Sequence, residues 1–283
     1  MSAALRPSRR HVLVQTLSAG FALAVRPVAA STVTTDDAGL DAGPVEIPVP
    51  PGNLPAYRAL PKNPKGKLPV ILVVQEIFGL HEHIQDVCRR LAKQGYYAIA
   101  TELFYRQGDV SALSEIKAIQ AIVAKVPDSQ VRSDLDATLE LVKKDSRADA
   151  ARVGITGFCW GGRTTWLYAA HNPAVKAGVA WYGRLDGDRN QLRPKFPIDL
   201  VDELKADVLG LYGAKDQGIP VESVDKMKAA LAASKNPHAK ASRFQVYSDA
   251  GHAFNSDYRP SYHEASAKDG WKRMLGWFKQ HGV

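Results

Sequence analysis

Cysteine is scarce in this sequence: Cys88 and Cys159 are the only two in 283 residues, too few for a disulfide framework. Long apolar runs are missing as well. After residue 30 no stretch approaches the roughly 20 apolar residues that a helix needs to cross a bilayer of about 30 Å. There is no internal repeat and no low-complexity tract, which excludes solenoid and fibrous architectures. An apolar content of 45% excludes a disordered chain. Strong charge of one sign is also lacking, although the formal net charge is +8. Arg6, Arg9, Arg10 and Arg26 lie in the first 30 residues, which hold no acid. The remainder carries 33 basic against 29 acidic residues, scattered rather than striped. No nucleic-acid partner is expected from that distribution.

The first 30 residues have the layout of an export signal. A basic start ends in Ser8-Arg9-Arg10-His11-Val12-Leu13, a moderately apolar run extends from Val12 to Val25, and Val28-Ala29-Ala30 offers small residues for cleavage before Ser31. The paired arginines, with Ser before and Val-Leu after, resemble a bacterial twin-arginine signal, so a periplasmic or secreted protein is expected. Residues 31–44, rich in Ser, Thr, Asp and Gly, read as a linker. After signal removal no membrane partner is expected.

From residue 45 onward the pattern alternates. Val45–Val49 and Ala56–Leu60 are short strands bounded by proline, placed as an antiparallel edge. Pro69–Gln75 is a continuous apolar run, the mark of a strand covered on both faces. Glu82–Gln94 comes next, with Ile84, Val87, Cys88 and Leu91 on one helical face. Strands at Tyr96–Thr101, Arg152–Gly157, Val175–Trp181, Asp207–Tyr212 and Ser242–Tyr247 alternate with helices at 111–125, 129–144, 160–170 and 221–234. A last helix runs from about Ser261 to His281. This is the order of an α/β fold, a doubly wound and mostly parallel sheet with helices on both faces, here as a single domain over residues 45–283. Gly183–Lys205 is left as a long connection of the kind that often carries function.

The chemistry gathers at Gly157-Phe158-Cys159-Trp160-Gly161-Gly162, between an apolar strand and a helix. A nucleophile on such a corner is held in a strained conformation with its side chain exposed, and small residues on either side let the chain turn. A lone cysteine is more often a buried small hydrophobe. A phosphate loop also nearly matches, but it requires lysine where Arg163 stands, and Phe-Cys-Trp is a poor cradle for phosphate. The order of the residues downstream favours a nucleophile. Asp216 lies just past the strand at 207–212, and His252 just past the strand at 242–247. Nucleophile, acid and histidine thus fall in the order of a hydrolase triad, at the carboxyl ends of parallel strands. Glu76 ends the first buried strand on the same edge, and the amides of Ile77 and Trp160 are placed to form an oxyanion hole. His81-Glu82-His83 has metal-ligand residue types, but the spacing reads as a helix start; no metal and no cofactor are expected. Cys88 belongs to the core, as do Trp160, Trp166 and Trp181 or the pocket wall, and Trp271 and Trp277 are packing residues of the last helix.

Gln75-Glu76-Ile77-Phe78-Gly79, Gly157–Gly162, Gly213-Ala214-Lys215-Asp216 and Gly251-His252-Ala253-Phe254 together resemble the dienelactone hydrolase family (carboxymethylenebutenolidases) of the α/β-hydrolase fold. The resemblance implies a hydrolase that opens an ester or enol-lactone through an acyl-thioester on Cys159, with His252 as base and Asp216 as its orienter. It implies that Glu76 hydrogen-bonds the resting thiol, and that Arg106 binds a substrate carboxylate. The family's second substrate arginine falls four residues after the histidine; Ser256 stands there, with Arg259 three further on. A small-molecule ester or lactone is the expected partner and a monomer the expected state. The rival readings are a general carboxylesterase or thioesterase, and a non-catalytic binding protein on a hydrolase fold.

Overall fold

The computed structural model describes residues 34–283; the expected export signal lies outside them. Eight strands form one sheet in the order β1-β2-β4-β3-β5-β6-β7-β8. β1 (Leu40–Pro48) and β2 (Asn53–Pro61) pair antiparallel, and β2 runs antiparallel to β4 (Tyr97–Thr101). The others are parallel: β3 (Leu68–Val74), β5 (Ala148–Phe158), β6 (Val175–Trp181), β7 (Asp207–Gly213) and β8 (Arg243–Tyr247). The antiparallel strands β1 and β2, nine residues each, carry Pro44 and Pro55 within them, as an edge tolerates, whereas the unbroken apolar run of β3 fits its buried centre.

The helices are α1 (Glu82–Lys93), α2 (Ile116–Val123), α3 (Asp128–Val142), α4 (Trp160–His171), α5 (Val221–Ala233), α6 (Pro237–Ala241) and α7 (Glu264–Gln280). α1 buries Ile84, Val87, Cys88 and Leu91, the stripe its spacing predicts. α4 is different, being buried from Gly161 to Ala170. Nothing of that stretch is left for solvent, which explains its weak amphipathic period. Phe196 and the short 3-10 turn Pro197–Glu203 cover it within the long 183–205 connection. There Arg163 makes a bidentate bond to Asp128 of α3, at 2.7 Å for each pair, and also donates to the Lys195 carbonyl.

Several elements differ from expectation. β1 begins at Leu40, so the linker reading of residues 31–44 fails for its second half. Polar composition hid an ordered segment: Asp86 and Arg89 of α1 bond the Thr35 main chain, and Lys93 reaches Asp36 and the Ala38 carbonyl. The helix expected at 111–125 shrinks to α2. The short α6, opened by an Asn236 cap and Pro237, is too brief to show a period.

Candidate active site

The end of β5 enters α4 through Cys159, whose φ of 55° and ψ of −112° place a non-glycine residue in a strained region. The turn closes only because its neighbours lack side chains. A Cβ on Gly157 would lie 2.3 Å from the Gly161 carbonyl oxygen. One on Gly161 would lie 2.4 Å from the Val74 oxygen and 2.5 Å from that of Gln75. Gly161 therefore presses α4 against the loop that leaves β3.

The structure brings Cys159, His252 and Asp216 together. His252 Nε2 is 3.1 Å from the Cys159 sulfur, and its Nδ1 is 2.7 Å from Asp216 Oδ2. Asp216 Oδ1 accepts from the amides of Gly218 (2.8 Å) and Ile219 (3.1 Å), so both of its oxygens are engaged and its orientation is set. Burial opposes charge on the His252 ring, but the Cys159 sulfur and the Asp216 carboxylate outweigh it and hold its pKa well above the ordinary histidine value. Both neighbours thus favour the protonated ring. Ala253, next to His252, has a φ of 58°, and Tyr182, just past β6, one of 38°. Among the described residues these two and Cys159 are the only non-glycine residues with positive φ. All three sit at the carboxyl edge of the sheet.

Val74 pairs with Gly157 across β3 and β5, so Glu76 and Cys159 each lie two residues past that pair, at the same edge of the sheet. The loop carrying it is braced by Glu102, which accepts from Gln75 Nε2 at 2.9 Å and from the Leu80 amide at 2.5 Å. Among the described residues neither the Ile77 nor the Trp160 amide donates to a main-chain carbonyl. Glu76 is 1% exposed. Burial raises its pKa, but the neighbouring His81 ring and the charge of Arg259 more than offset that and bring it down to about 2. The expected hydrogen bond between Glu76 and the resting thiol is not formed: Tyr258 Oη donates to Glu76 at 3.3 Å, and the thiol's partner is His252.

The two arginines lie in different surroundings. Arg106 is tied at 2.6 Å to the buried Asp134 of α3, a contact that fastens the β4 loop to a helix. Arg259, by contrast, is 7% exposed. Its guanidinium lies 4.2 Å over the Phe78 ring and 4.7 Å over that of Tyr258. Its Nε and Nη1 have no hydrogen-bond partner, so a buried cation is left with open donors. Ser256 is fully buried and its hydroxyl is likewise unpartnered.

Several residues of the site carried no signal in the sequence. Tyr258 and Glu102 are visible only through their contacts. Tyr182, whose ring meets that of His252 edge-on at 5.2 Å, directly follows a predicted strand, and that placement was a usable sign. His81 and His83 open α1 as expected of a helix start. Among the described residues no group of three or more His, Cys, Asp or Glu could hold a metal ion. Cys88, Trp166 and Trp181 are in the core; Trp160 meets Phe104 edge-on at 4.8 Å.

The family model for the dienelactone hydrolase family matches residues 54–282. A Methylorubrum extorquens protein named "Putative carboxymethylenebutenolidase" is 62% identical over 278 residues, covering 98% of this chain and 94% of its own. An Escherichia coli K12 protein of the same name is 55% identical over 271 residues, covering 95% of this chain and 98% of its own. A crystal structure of a "Putative Dienelactone Hydrolase" from Klebsiella pneumoniae superimposes with a TM-score of 0.82 at 55% identity, over 85% of this chain and 99% of that one. The chain is a hydrolase with the α/β-hydrolase fold, and it belongs to the dienelactone hydrolase family.

Proposed function

We propose that this hydrolase opens ester or enol-lactone bonds through an acyl-thioester on Cys159. The observation that carries the reading is the bonded line of Cys159, His252 and Asp216, 3.1 Å and 2.7 Å apart, with the sulfur on a strained strand–helix corner. The thiolate attacks the substrate carbonyl, forming a C–S bond. The oxygen that becomes negative is received by the Ile77 and Trp160 amides at the start of α4, where the helix dipole favours it. The C–O bond then breaks, and the His252 imidazolium gives its proton to the departing oxygen. Water later cleaves the thioester and regenerates the thiolate. Glu76, already a carboxylate and bonded to Tyr258, does not hold the thiol; it balances Arg259.

A substrate carboxylate would be held by Arg259, whose open donors offer it charge-assisted bonds, rather than by Arg106. A chain made as a precursor with a twin-arginine signal would act outside the cytoplasm. The test is purified enzyme against a panel of enol-lactones, neutral lactones and aryl esters. Cys159→Ala and His252→Ala should each lower kcat by about 10³-fold or more, and the double variant little beyond either, because the two act in one step. Losses that multiply, or a Cys159→Ala enzyme that still turns over, would refute the thioester. No turnover of any ester or lactone by the wild type would leave the binding-protein reading.

A further inference from the structure

Residues 75–80 lead from β3 toward α1 and carry both Glu76 and Ile77. Among the described residues, no main-chain hydrogen bond outside the helices and strands involves residues 76–79. The loop therefore does not hold its shape through its own backbone. Glu102, just past β4, supplies the missing partner. Its Oε1 accepts from Gln75 Nε2 at 2.9 Å and from the Phe104 amide at 3.1 Å, and its Oε2 accepts from the Leu80 amide at 2.5 Å. The exit of the loop is also tied to α1, where Gln85 Nε2 donates to the Leu80 carbonyl at 3.1 Å. Glu102 ties that exit to the entrance, so one carboxylate clips both ends of the loop to the end of β4. Gly79, with a φ of 74°, closes against the clip: a Cβ there would lie 2.6 Å from Glu102 Oε2.

An oxyanion hole accelerates a reaction only when its donors stand in place before the charge develops. The two amides of the reading above differ in this respect. Trp160 opens α4, and the turn around it is closed by the Gly162 and Arg163 amides, which donate to the Cys159 carbonyl at 3.0 and 3.2 Å. Ile77 lies in the middle of the clipped loop and has no such support. Whatever fixes the loop fixes that donor.

We propose that Glu102 is a positioning residue for the reaction: by clipping residues 75–80 it holds the Ile77 amide where the oxygen of the attacked carbonyl becomes negative. The proposal rests on the thioester and oxyanion reading above. Glu102 acts through the loop and touches neither substrate nor sulfur. A carboxylate is needed at this place because all three of its partners are donors. In glutamine one oxygen becomes an NH2 group, which must face either the Leu80 amide or the Gln75 and Phe104 donors. One end of the clip opens whichever way the amide turns. Glu102→Gln thus keeps the size of the side chain and releases the loop.

The experiment compares two reactions of Cys159 in the wild type and in folded variants, with thermal melting to verify the fold. Turnover of an aryl ester passes through an oxyanion in both half-reactions. Alkylation by iodoacetamide does not, because sulfur displaces iodide at a saturated carbon and no oxygen becomes negative. Cys88 does not compete, being fully buried with its thiol pushed far up in pKa by that burial. Glu102→Gln should lower kcat and kcat/KM together by about 10²-fold, while KM and the alkylation rate stay within about threefold. Gln75→Leu removes one contact of the clip and should give the same pattern with a loss of about 10-fold; it tests the proposal by itself if Glu102→Gln does not fold. Unchanged ester turnover would overturn the proposal. So would alkylation slowed as much as turnover, which marks a disturbed triad rather than a displaced amide. Wild-type turnover that survives complete alkylation of Cys159 refutes the thioester and the clip with it. A wild type silenced by alkylation, beside a fully active Glu102→Gln, refutes the clip alone.

Discussion

In the proposed mechanism His252 is the residue on which the chemistry turns, because its charge is set by its neighbours. Burial disfavours the imidazolium; the sulfur and the Asp216 carboxylate restore it and raise the pKa. A group raised in this way holds its proton below the shifted value and loses it as pH climbs through it, so kcat/KM should stay level across neutral pH and fall on the alkaline side. Asp216→Asn removes one of the two charges that raise the pKa and should move that alkaline limb to lower pH, besides costing rate through misorientation. A pH profile with an unmoved limb would show that another group sets it. At the opposite end of the pocket, Arg259→Ala should lower kcat/KM for carboxylate-bearing substrates by about 10- to 100-fold and scarcely alter it for neutral ones. Arg106→Ala should affect both kinds alike and lower stability, since it strands the buried Asp134. Steady-state kinetics on one acidic and one neutral ester separate the two arginines.

At the scale of elements, the decisive contact is between the start of α4 and the end of β3. The glycine at 161 lets main chain meet main chain, and that approach seats the start of α4 against the loop that bears Ile77. Gly161→Ala would force a methyl against the Val74 and Gln75 carbonyl oxygens, at 2.4 and 2.5 Å. Backbone on both sides cannot give way as a side chain would. The substitution should cost about 1–3 kcal/mol or more, read as a lower denaturation midpoint. Activity should fall further than stability, because the shift separates Ile77 from Trp160. An alanine variant with full activity would mean that the loop adapts freely. The same approach explains why the α4 pattern was hard to place by periodicity: a helix buried all round has no polar face to mark its turns.

For the molecule as a whole, one hydrophobic core runs from Ile47 on β1 to Val283 at the C-terminus. The antiparallel β1–β2 edge and the segment from Thr35 are built onto it rather than separate from it. The export signal proposed for residues 1–30 precedes this unit in the sequence. Replacing Arg9 and Arg10 with lysine keeps the charge but removes the pair, and should retain the unprocessed precursor in the cytoplasm; fractionation and immunoblotting would read it. Unchanged export would assign the signal to the ordinary secretory route.

The order of strands and helices, the elbow and the meeting of Cys159, Asp216 and His252 at one sheet edge were legible in the sequence because each rests on local chemistry. A strand covered on both faces must be apolar throughout, a strained turn needs small residues beside it, and a side chain just past a parallel strand falls on the edge where ligands bind. The start of β1 at Leu40 was not legible, since a polar segment shows no sign of the α1 side chains that hold it. Nor were the surroundings of the arginines: Arg106 and Arg259 both lie in loops past strands, and only packing decides that Asp134 reaches one while aromatic rings enclose the other. The partners of Glu76 were settled in the same way, by Tyr258 and His81 arriving from a distant loop and a helix start. Local pattern determines where a side chain leaves the backbone; which charge or hydroxyl it meets depends on elements far apart in the chain, and that is decided only when the sheet brings them together.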